Sequence, residues 1–288
     1  VTNSTHDPLL LAAISAAVDI ARNHGLAVEH PMPLRSTNNI VVWLRPIGVV
    51  AKVSPSSKSR LSIELLVARE LAALGAPIAT PATEMPVIVH QRGGFDVTFW
   101  RYHPQRSTVE ITPDSAVRGI TKLHASLRQL SPATKGMLPT YMSELLLARN
   151  LLDDQDGALA LKPDERALLA ETFDRLQVRL NELAPPDRFI VLHGSPHPYN
   201  VLQVDDEPLF IDFETTCVGP LEWDVAYLDS EVDALFGSSI RPELLGVCRN
   251  MASVTTAILC AAQIDRGDMR EHFEYHLAQV RENTGRSS

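Results

Sequence analysis

The stretch His193-Gly194-Ser195-Pro196-His197-Pro198-Tyr199-Asn200, with Ile211-Asp212-Phe213-Glu214 shortly after it, decides how this chain is read. Around it lie three short apolar runs, Phe189-Ile190-Val191-Leu192, Asn200-Val201-Leu202-Gln203-Val204 and Pro208-Leu209-Phe210-Ile211, separated by polar turns. Runs of this length bounded by turn residues predict strands. Polar residues at strand ends point to a site carried on a rigid platform. Asn200 and Asp212 stand at the ends of adjacent strands, and an amide oxygen with a carboxylate suits a hard divalent cation such as Mg2+. Asp212 follows directly on an apolar run, at the edge of buried structure where a carboxylate needs a partner. The plainer reading of Asp212 is a turn aspartate with no ligand.

Outward from this stretch the chain has two textures. Asp7-Pro8 caps an opening helix that runs to about Asn23, with Gly25 as its stop. Ile40-Val41-Val42-Trp43-Leu44 and Val49-Val50-Ala51-Lys52-Val53 form a predicted hairpin over Arg45-Pro46-Ile47-Gly48. A helix is expected over Ser62–Leu74, closed by Gly75, and a second strand pair, Val87-Ile88-Val89 and Asp96-Val97-Thr98-Phe99-Trp100, around Gly93-Gly94. After Trp100-Arg101-Tyr102-His103 the chain turns helical, with predicted helices from Pro113 to Leu130, near Tyr141–Leu152, and over Pro163–Leu183, Pro242–Gln263 and Met269–Glu282. The implied organisation is a sheet-and-helix part over residues 1–102 and a helical part over 103–288.

Gly219-Pro220-Leu221-Glu222-Trp223-Asp224-Val225-Ala226 supplies a third motif. In order and spacing, the three resemble the aminoglycoside phosphotransferase family, small-molecule kinases whose loop reads H-G-D-x-x-x-x-N, followed by I-D-F and G-P-x-x-x-D-L-A. The resemblance spans roughly residues 30–280. It implies an α+β, two-lobed, protein-kinase-like fold, with a small antiparallel sheet as N-terminal lobe and a mainly helical C-terminal lobe. It also implies ATP (or GTP) with Mg2+ as cofactors and a hydroxyl of a small molecule as acceptor, with Asn200 and Asp212 as the metal ligands.

The site residues follow from the same resemblance. Lys52 matches the family's phosphate-contacting lysine, and a charge in so apolar a strand needs an acidic partner. Glu64, eleven residues before Gly75, is the expected partner, with Glu70 facing solvent. An edge-strand lysine is the alternative. The segment Arg35-Ser36-Thr37-Asn38-Asn39 occupies the nucleotide-loop position without a glycine, so Ser36, Thr37 and Asn38 offer side chains and backbone N–H groups to phosphate. Trp100 and Tyr102 lie where the family links its lobes and contacts the purine. His193 and Ser195 belong to the catalytic loop, with His193 holding its backbone.

Ser195 stands where the family has its catalytic aspartate, and a serine hydroxyl is not ionised near neutral pH. His197 and Glu214 are the candidates to replace the base, and Asp224 is expected to hold the loop in shape. Two functions are therefore expected: a small-molecule kinase, or an impaired family member that binds nucleotide or a small ligand without efficient turnover.

Composition narrows the alternatives. Apolar residues make up 45% and charged residues 21% of the 288 residues, as in globular chains. Net charge is −9, distributed as +2 over residues 1–102 and −11 over 103–288. That argues against a nucleic-acid partner. The acidic second part suits a cationic small molecule, or is a solvated acidic surface. No apolar run approaches the ~18 residues of a membrane helix, and Leu9 to Ala21 contains Asp19 and lacks the basic start of a signal peptide. Three cysteines without a C-x-x-C pair support neither a disulfide framework nor structural zinc, and suit the cytoplasm. There is no P-loop, no G-x-G-x-x-G and no G-x-S-x-G elbow.

Overall fold

The structure, a computed structural model, describes residues 7–37, 39–104, 111–154, 159–204 and 207–285. In chain order the elements begin with α1 (Pro8–Asn23), β1 (His30–Ser36), β2 (Ile40–Arg45), β3 (Val49–Pro55), α2 (Leu61–Ala73), β4 (His90–Arg92) and β5 (Phe95–Arg101). Then follow α3 (Pro113–Leu127), α4 (Pro132–Met137), α5 (Met142–Asp153), α6 (Pro163–Leu183), β6 (Ile190–Leu192), β7 (Val201–Val204) and β8 (Glu207–Phe210). The chain ends with β9 (Cys217–Gly219), α7 (Leu221–Val225), α8 (Asp233–Phe236), α9 (Pro242–Ala261) and α10 (Met269–Gly285). Two units form: Val1–Met137 with Pro198–Thr216, and Leu138–His197 with Cys217–Ser288.

The first unit is built on an antiparallel sheet in the order β1-β2-β3-β5-β4. Alternation along the strands sorts residues between its faces. Ile40, Val42 and Leu44, with Val49, Ala51, Val53, Phe95, Val97 and Phe99, cluster with the buried side of α1. Asp7 caps α1 by accepting from the Leu9 N–H at 2.9 Å, and Pro8 fills the first turn, where its missing N–H is not needed. Lys52 and its register partner Thr98 alternate onto the opposite face, both buried. Lys52 lies on β3, between β2 and β5, which excludes the edge-strand alternative.

The hairpin β7–β8 belongs to the same unit. Phe210 pairs with the segment after α2: its N–H donates to the Pro77 carbonyl (2.9 Å) and its carbonyl accepts from the Ala79 N–H (3.1 Å). Helix α3 approaches the hairpin so closely that a Cβ on Gly119 would meet Pro208 Cγ at 2.4 Å. Glycine is required there for contact, at some cost in helix propensity.

The second unit packs α5, α6, α9 and α10 around Leu145, Phe173, Met251, Ile258 and Leu277. Helix α9 has the length and apolarity of a membrane-crossing helix, which the interruption by Arg249 and Asn250 conceals in the sequence. Leu244, Cys248, Met251, Val254, Ala257 and Ile258 of α9 are buried in this core. Arg249 forms a two-pronged ion pair with Asp233 at 2.6 Å on each side.

Several local expectations are corrected. The strand placed at Val87–Val89 lies at His90–Arg92: the Gly93-Gly94 turn sets three pairs with β5, and beyond them Ala82 N–H and Arg101 N–H join residues 80–82 to β5. Strand β1 was not expected, because Pro31 and Pro33 cannot donate to a ladder; both fit on an edge strand with one open side. Helix α3 stops at Leu127, and the short α4 follows.

Glu70 does not simply face solvent. Its carboxylate caps the start of α4, accepting from Ser131 N–H (2.7 Å), Ser131 Oγ (2.8 Å) and Thr134 Oγ1 (2.5 Å). The Ser131 backbone bond, ahead of the Thr134 bond, holds its pKa below the ordinary value. A carboxyl lowered by folding stabilises the fold above its unfolded pKa, and that stabilisation disappears as pH falls through the folded value. Glu70→Ala is therefore expected to lower stability by ~1 kcal/mol at pH 7, the scale of a lost cap. In denaturant titrations the gap between variant and wild type should close as the pH drops below the carboxylate range.

Candidate active site

In the first unit, a buried cation collects three carboxylates. Lys52 Nζ lies 2.9 Å from each carboxylate oxygen of Glu64, 2.9 Å from Asp212 Oδ1 and 2.6 Å from Glu214 Oε1. Glu64 sits on the buried face of α2 with Leu61, Leu65 and Ala68, so the helix points it at the sheet. Its Oε1 also accepts the Phe213 N–H at 3.2 Å. Burial alone would lower the Lys52 pKa, but Glu64, Asp212 and Glu214 outweigh it and raise it. Burial pushes the Glu64 carboxyl up, with Lys52 opposing the rise and Asp212 and Glu214 adding to it. Three carboxylates against one ammonium leave a net −2 when all are ionised.

The hairpin delivers Asp212. Ile211 N–H donates to the Asn200 carbonyl at 3.0 Å, which closes the hairpin base and brings the ends carrying Asn200 and Asp212 together. Asp212 then turns the chain in the left-handed region (φ 69°, ψ 64°), the one residue other than glycine found at positive φ among those described. Aspartate tolerates this region better than most residues, and such corners concentrate at functional sites. The following turn, Phe213–Thr215, carries Glu214 back to Lys52, and Thr216 Oγ1 closes it on the Phe213 carbonyl at 2.8 Å.

Oxygen atoms of Glu64, Asp212 and Glu214 lie within 4.8 Å of one another. An all-oxygen set carrying excess negative charge fits a hard divalent cation. Asn200, only 2% exposed, adds an amide at the same hairpin base.

The remaining nucleotide-side residues are placed as follows. Ser36 is exposed at the end of β1, and Thr37 N–H donates to the Asn39 carbonyl at 3.2 Å in the turn to β2. Asn38 lies outside the described residues. Asn39, which the sequence did not single out, is buried and donates from Nδ2 to Glu214 Oε1 at 2.6 Å. Nothing in the sequence links two residues 175 positions apart. Trp100 is buried with its Nε1 donating to Thr98 Oγ1 at 2.9 Å. Tyr102 stacks on Trp43, ring centres 4.0 Å apart and 9° from parallel.

In the second unit, Asp224 holds the His193-Gly194-Ser195 loop. Its two carboxylate oxygens accept from His193 N–H (2.9 Å) and Gly194 N–H (2.8 Å), and Trp223 Nε1 donates to the Gly194 carbonyl at 3.0 Å. Gly194 adopts φ 97°, a left-handed turn that favours glycine. His193 is fully buried, and its Nδ1 accepts from the Ser195 N–H at 3.4 Å. His197 packs against Tyr227. This loop is shaped by buried hydrogen bonds, with Ser195 half-buried at its turn.

Comparison with known proteins agrees with these motifs. The chain belongs to the phosphotransferase enzyme family, whose model matches residues 35–246. Among curated proteins no sequence match is found. Spectinomycin phosphotransferase, solved with ADP and spectinomycin, shares 13% identity and superposes with a TM-score of 0.68 over 92% of this chain and 96% of that one. A choline/ethanolamine kinase family protein from Mesorhizobium loti shares 16% identity, with a TM-score of 0.62 over 92% and 93%. An amicoumacin kinase in complex with AMP-PNP, Ca2+ and Ami shares 14% identity, with a TM-score of 0.63 over 96% of each chain. The fold, an antiparallel N-terminal sheet followed by a helical C-terminal region, is that of these kinase-like enzymes.

The Asp224 bonds carry a direct prediction. A hydrogen bond to a buried charged acceptor is worth about 1.5–3 kcal/mol, and losing the acceptor strands both N–H groups. Asp224→Ala is expected to cost about 3 kcal/mol or more, measured as a fall in the denaturation midpoint. An unchanged midpoint would show that the loop is held by other contacts.

Proposed function

We propose that this protein transfers a phosphoryl group from ATP or GTP, with Mg2+, to a hydroxyl of a small molecule. The observation that carries the reading is the buried ion pair of Lys52 with Glu64, joined by Asp212 at the hairpin corner. The solved relatives bound to ADP with spectinomycin, or to AMP-PNP with Ca2+, support a nucleotide, a divalent cation and a small-molecule acceptor. The acidic balance of residues 103–288 supports a cationic acceptor. Three buried free thiols suit a reducing, cytoplasmic setting. The lobes of the proposal are residues 1–102, which hold the nucleotide, and 103–288, which carry the catalytic loop and acceptor.

Lys52 contacts phosphate oxygens while Glu64 fixes its direction, and Asp212, Glu214 and Asn200 hold the metal. Held by these residues, Mg2+ would supply positive charge against the phosphates. Ser36, Thr37 and Asn38 present polar groups to the phosphates, and Trp100 and Tyr102 flank the purine. His193 keeps the loop in shape, and Ser195 meets the acceptor hydroxyl as a hydrogen-bonding partner without taking its proton as a carboxylate would. Phosphoryl transfer leans on positioning and electrostatics, so the loss of a general base slows it without abolishing it.

The second reading is an impaired member that binds nucleotide or a small ligand without efficient turnover. Ser195 at the aspartate position favours it.

Two measurements test the site. Mg2+-ATP is expected to raise the melting temperature by mass action on the folded state, and Asp212→Asn should remove most of that shift while the ligand-free variant stays folded. An undiminished shift in the variant takes Asp212 out of the metal site.

Ser195→Asp restores a carboxylate at the base position. It is expected to raise turnover, followed as ATP hydrolysis, by ~10²-fold, the low end of a general-base effect. A slower Ser195→Asp enzyme beside a fast wild type would mean that the proton leaves by a different path.

A further inference from the structure

Residues 103–288 carry a balance of −11, yet one cleft in the second unit has no carboxylate on its wall. It measures about 270 Å³ and lies between α6, α9 and α10. Helical spacing builds it. Thr172, Arg175 and Arg179 share one face of α6, Asn250 adds an amide from α9, and Asn283 and Thr284 close it from α10. Leu176, Val254 and Val280 form an apolar floor, each no more than 6% exposed. None of these residues belongs to the Lys52 set or to the His193–Asn200 loop.

The polar groups left over on this wall are donors. Thr172 is 5% exposed, and among the described residues its hydroxyl has no hydrogen-bond partner. A helical threonine can return its hydroxyl to the carbonyl one turn back. This one does not, and a buried hydroxyl without a partner is costly. Asn250 Oδ1 accepts from Asn283 Nδ2 at 2.6 Å, which leaves the Asn250 amide hydrogens to the cleft. Arg179 is held by Glu182 and Glu243, whereas Arg175 has no ion pair or hydrogen bond among the described residues.

Donors without acceptors define the ligand. A cation would be repelled by the Arg175 guanidinium, and an apolar molecule would leave the Thr172 hydroxyl stranded. The oxygens of a carboxylate or a phosphate answer both, because a guanidinium fork meets two of them at once. The apolar floor strengthens such charge-assisted bonds by keeping water off one side. A cavity of ~150 Å³ holds benzene, so this cleft has room for a small metabolite.

We propose that the cleft between α6, α9 and α10 binds a small oxyanion, a carboxylate or phosphate compound of metabolite size, through Arg175, Asn250 and Thr172. The anion ties α10 to α6 and α9, so its binding stabilises the second unit. Nothing in this site depends on the nucleotide reading of the first unit.

Citrate and inorganic phosphate, titrated separately into the full chain by calorimetry at fixed ionic strength, test the site, with hydrogen exchange to locate it. At least one is expected to bind and to slow exchange in peptides from Met269–Gly285, and the anion that does so tells carboxylate from phosphate. Arg175→Ala, at an exposed position, should weaken that binding ~10-fold or more, and Thr172→Val, which keeps the shape without the hydroxyl, about 3-fold. Arg128→Ala, which removes the same charge from an exposed position outside the cleft, should leave the affinity unchanged. The proposal is overturned if neither anion binds, or if Arg128→Ala weakens binding as much as Arg175→Ala. It is also overturned if Arg175→Ala and Thr172→Val both bind as wild type does, since the anion then sits elsewhere, the Lys52 set included.

Discussion

Lys52 places an ammonium in the interior of an antiparallel sheet, where an unpaired charge is not tolerated. Its partners come from three places: Glu64 on α2, Asp212 at the end of the β7–β8 hairpin, and Glu214 on the next turn. Because burial makes pairing obligatory, these segments are fixed against β3 together. Strand alternation makes the arrangement possible. It sends Val49, Ala51 and Val53 to the face covered by α1, and leaves Lys52 on the opposite face. One charge in an apolar strand thus sets the position of a helix and a hairpin.

Carboxylates serve two purposes in this molecule, and their surroundings separate the two. Glu70 and Asp224 accept backbone N–H bonds and hold turns in shape: Glu70 at the start of α4, Asp224 beneath the His193-Gly194-Ser195 loop. Glu64, Asp212 and Glu214 crowd one ammonium and keep an excess of negative charge. The first pair is electrostatically satisfied. The second group carries more negative charge than its one ammonium cancels, and such a cluster is where ligand chemistry has a driving force.

Membership of the phosphotransferase enzyme family accounts for the fold across most of the chain, whereas likenesses of 13–16% identity do not single out one acceptor. In the proposed reaction, a serine at position 195 would shift weight from proton removal to positioning. A phosphoryl-transfer site tolerates that shift better than a site whose barrier lies in the proton transfer.

Local signals in the sequence determined most helices. Proline and aspartate or threonine at the N-termini of α1 and α3, and Pro163 and Pro242 at the starts of α6 and α9, mark positions where the backbone itself prefers to begin a helix. The three motifs determined the family, and the count back from Gly75 selected Glu64 over Glu70 as the partner of Lys52. Strand β1 escaped notice because its prolines suit only an edge, and edge status is a property of the assembled sheet. The cap that Glu70 makes on α4, and the bond from Asn39 to Glu214, were likewise invisible. Each joins residues more than sixty positions apart, through side chains that local propensity does not direct. Sequence named the charged groups of the site; only tertiary structure decided which carboxylates share the lysine, because burial, not spacing, forces them together.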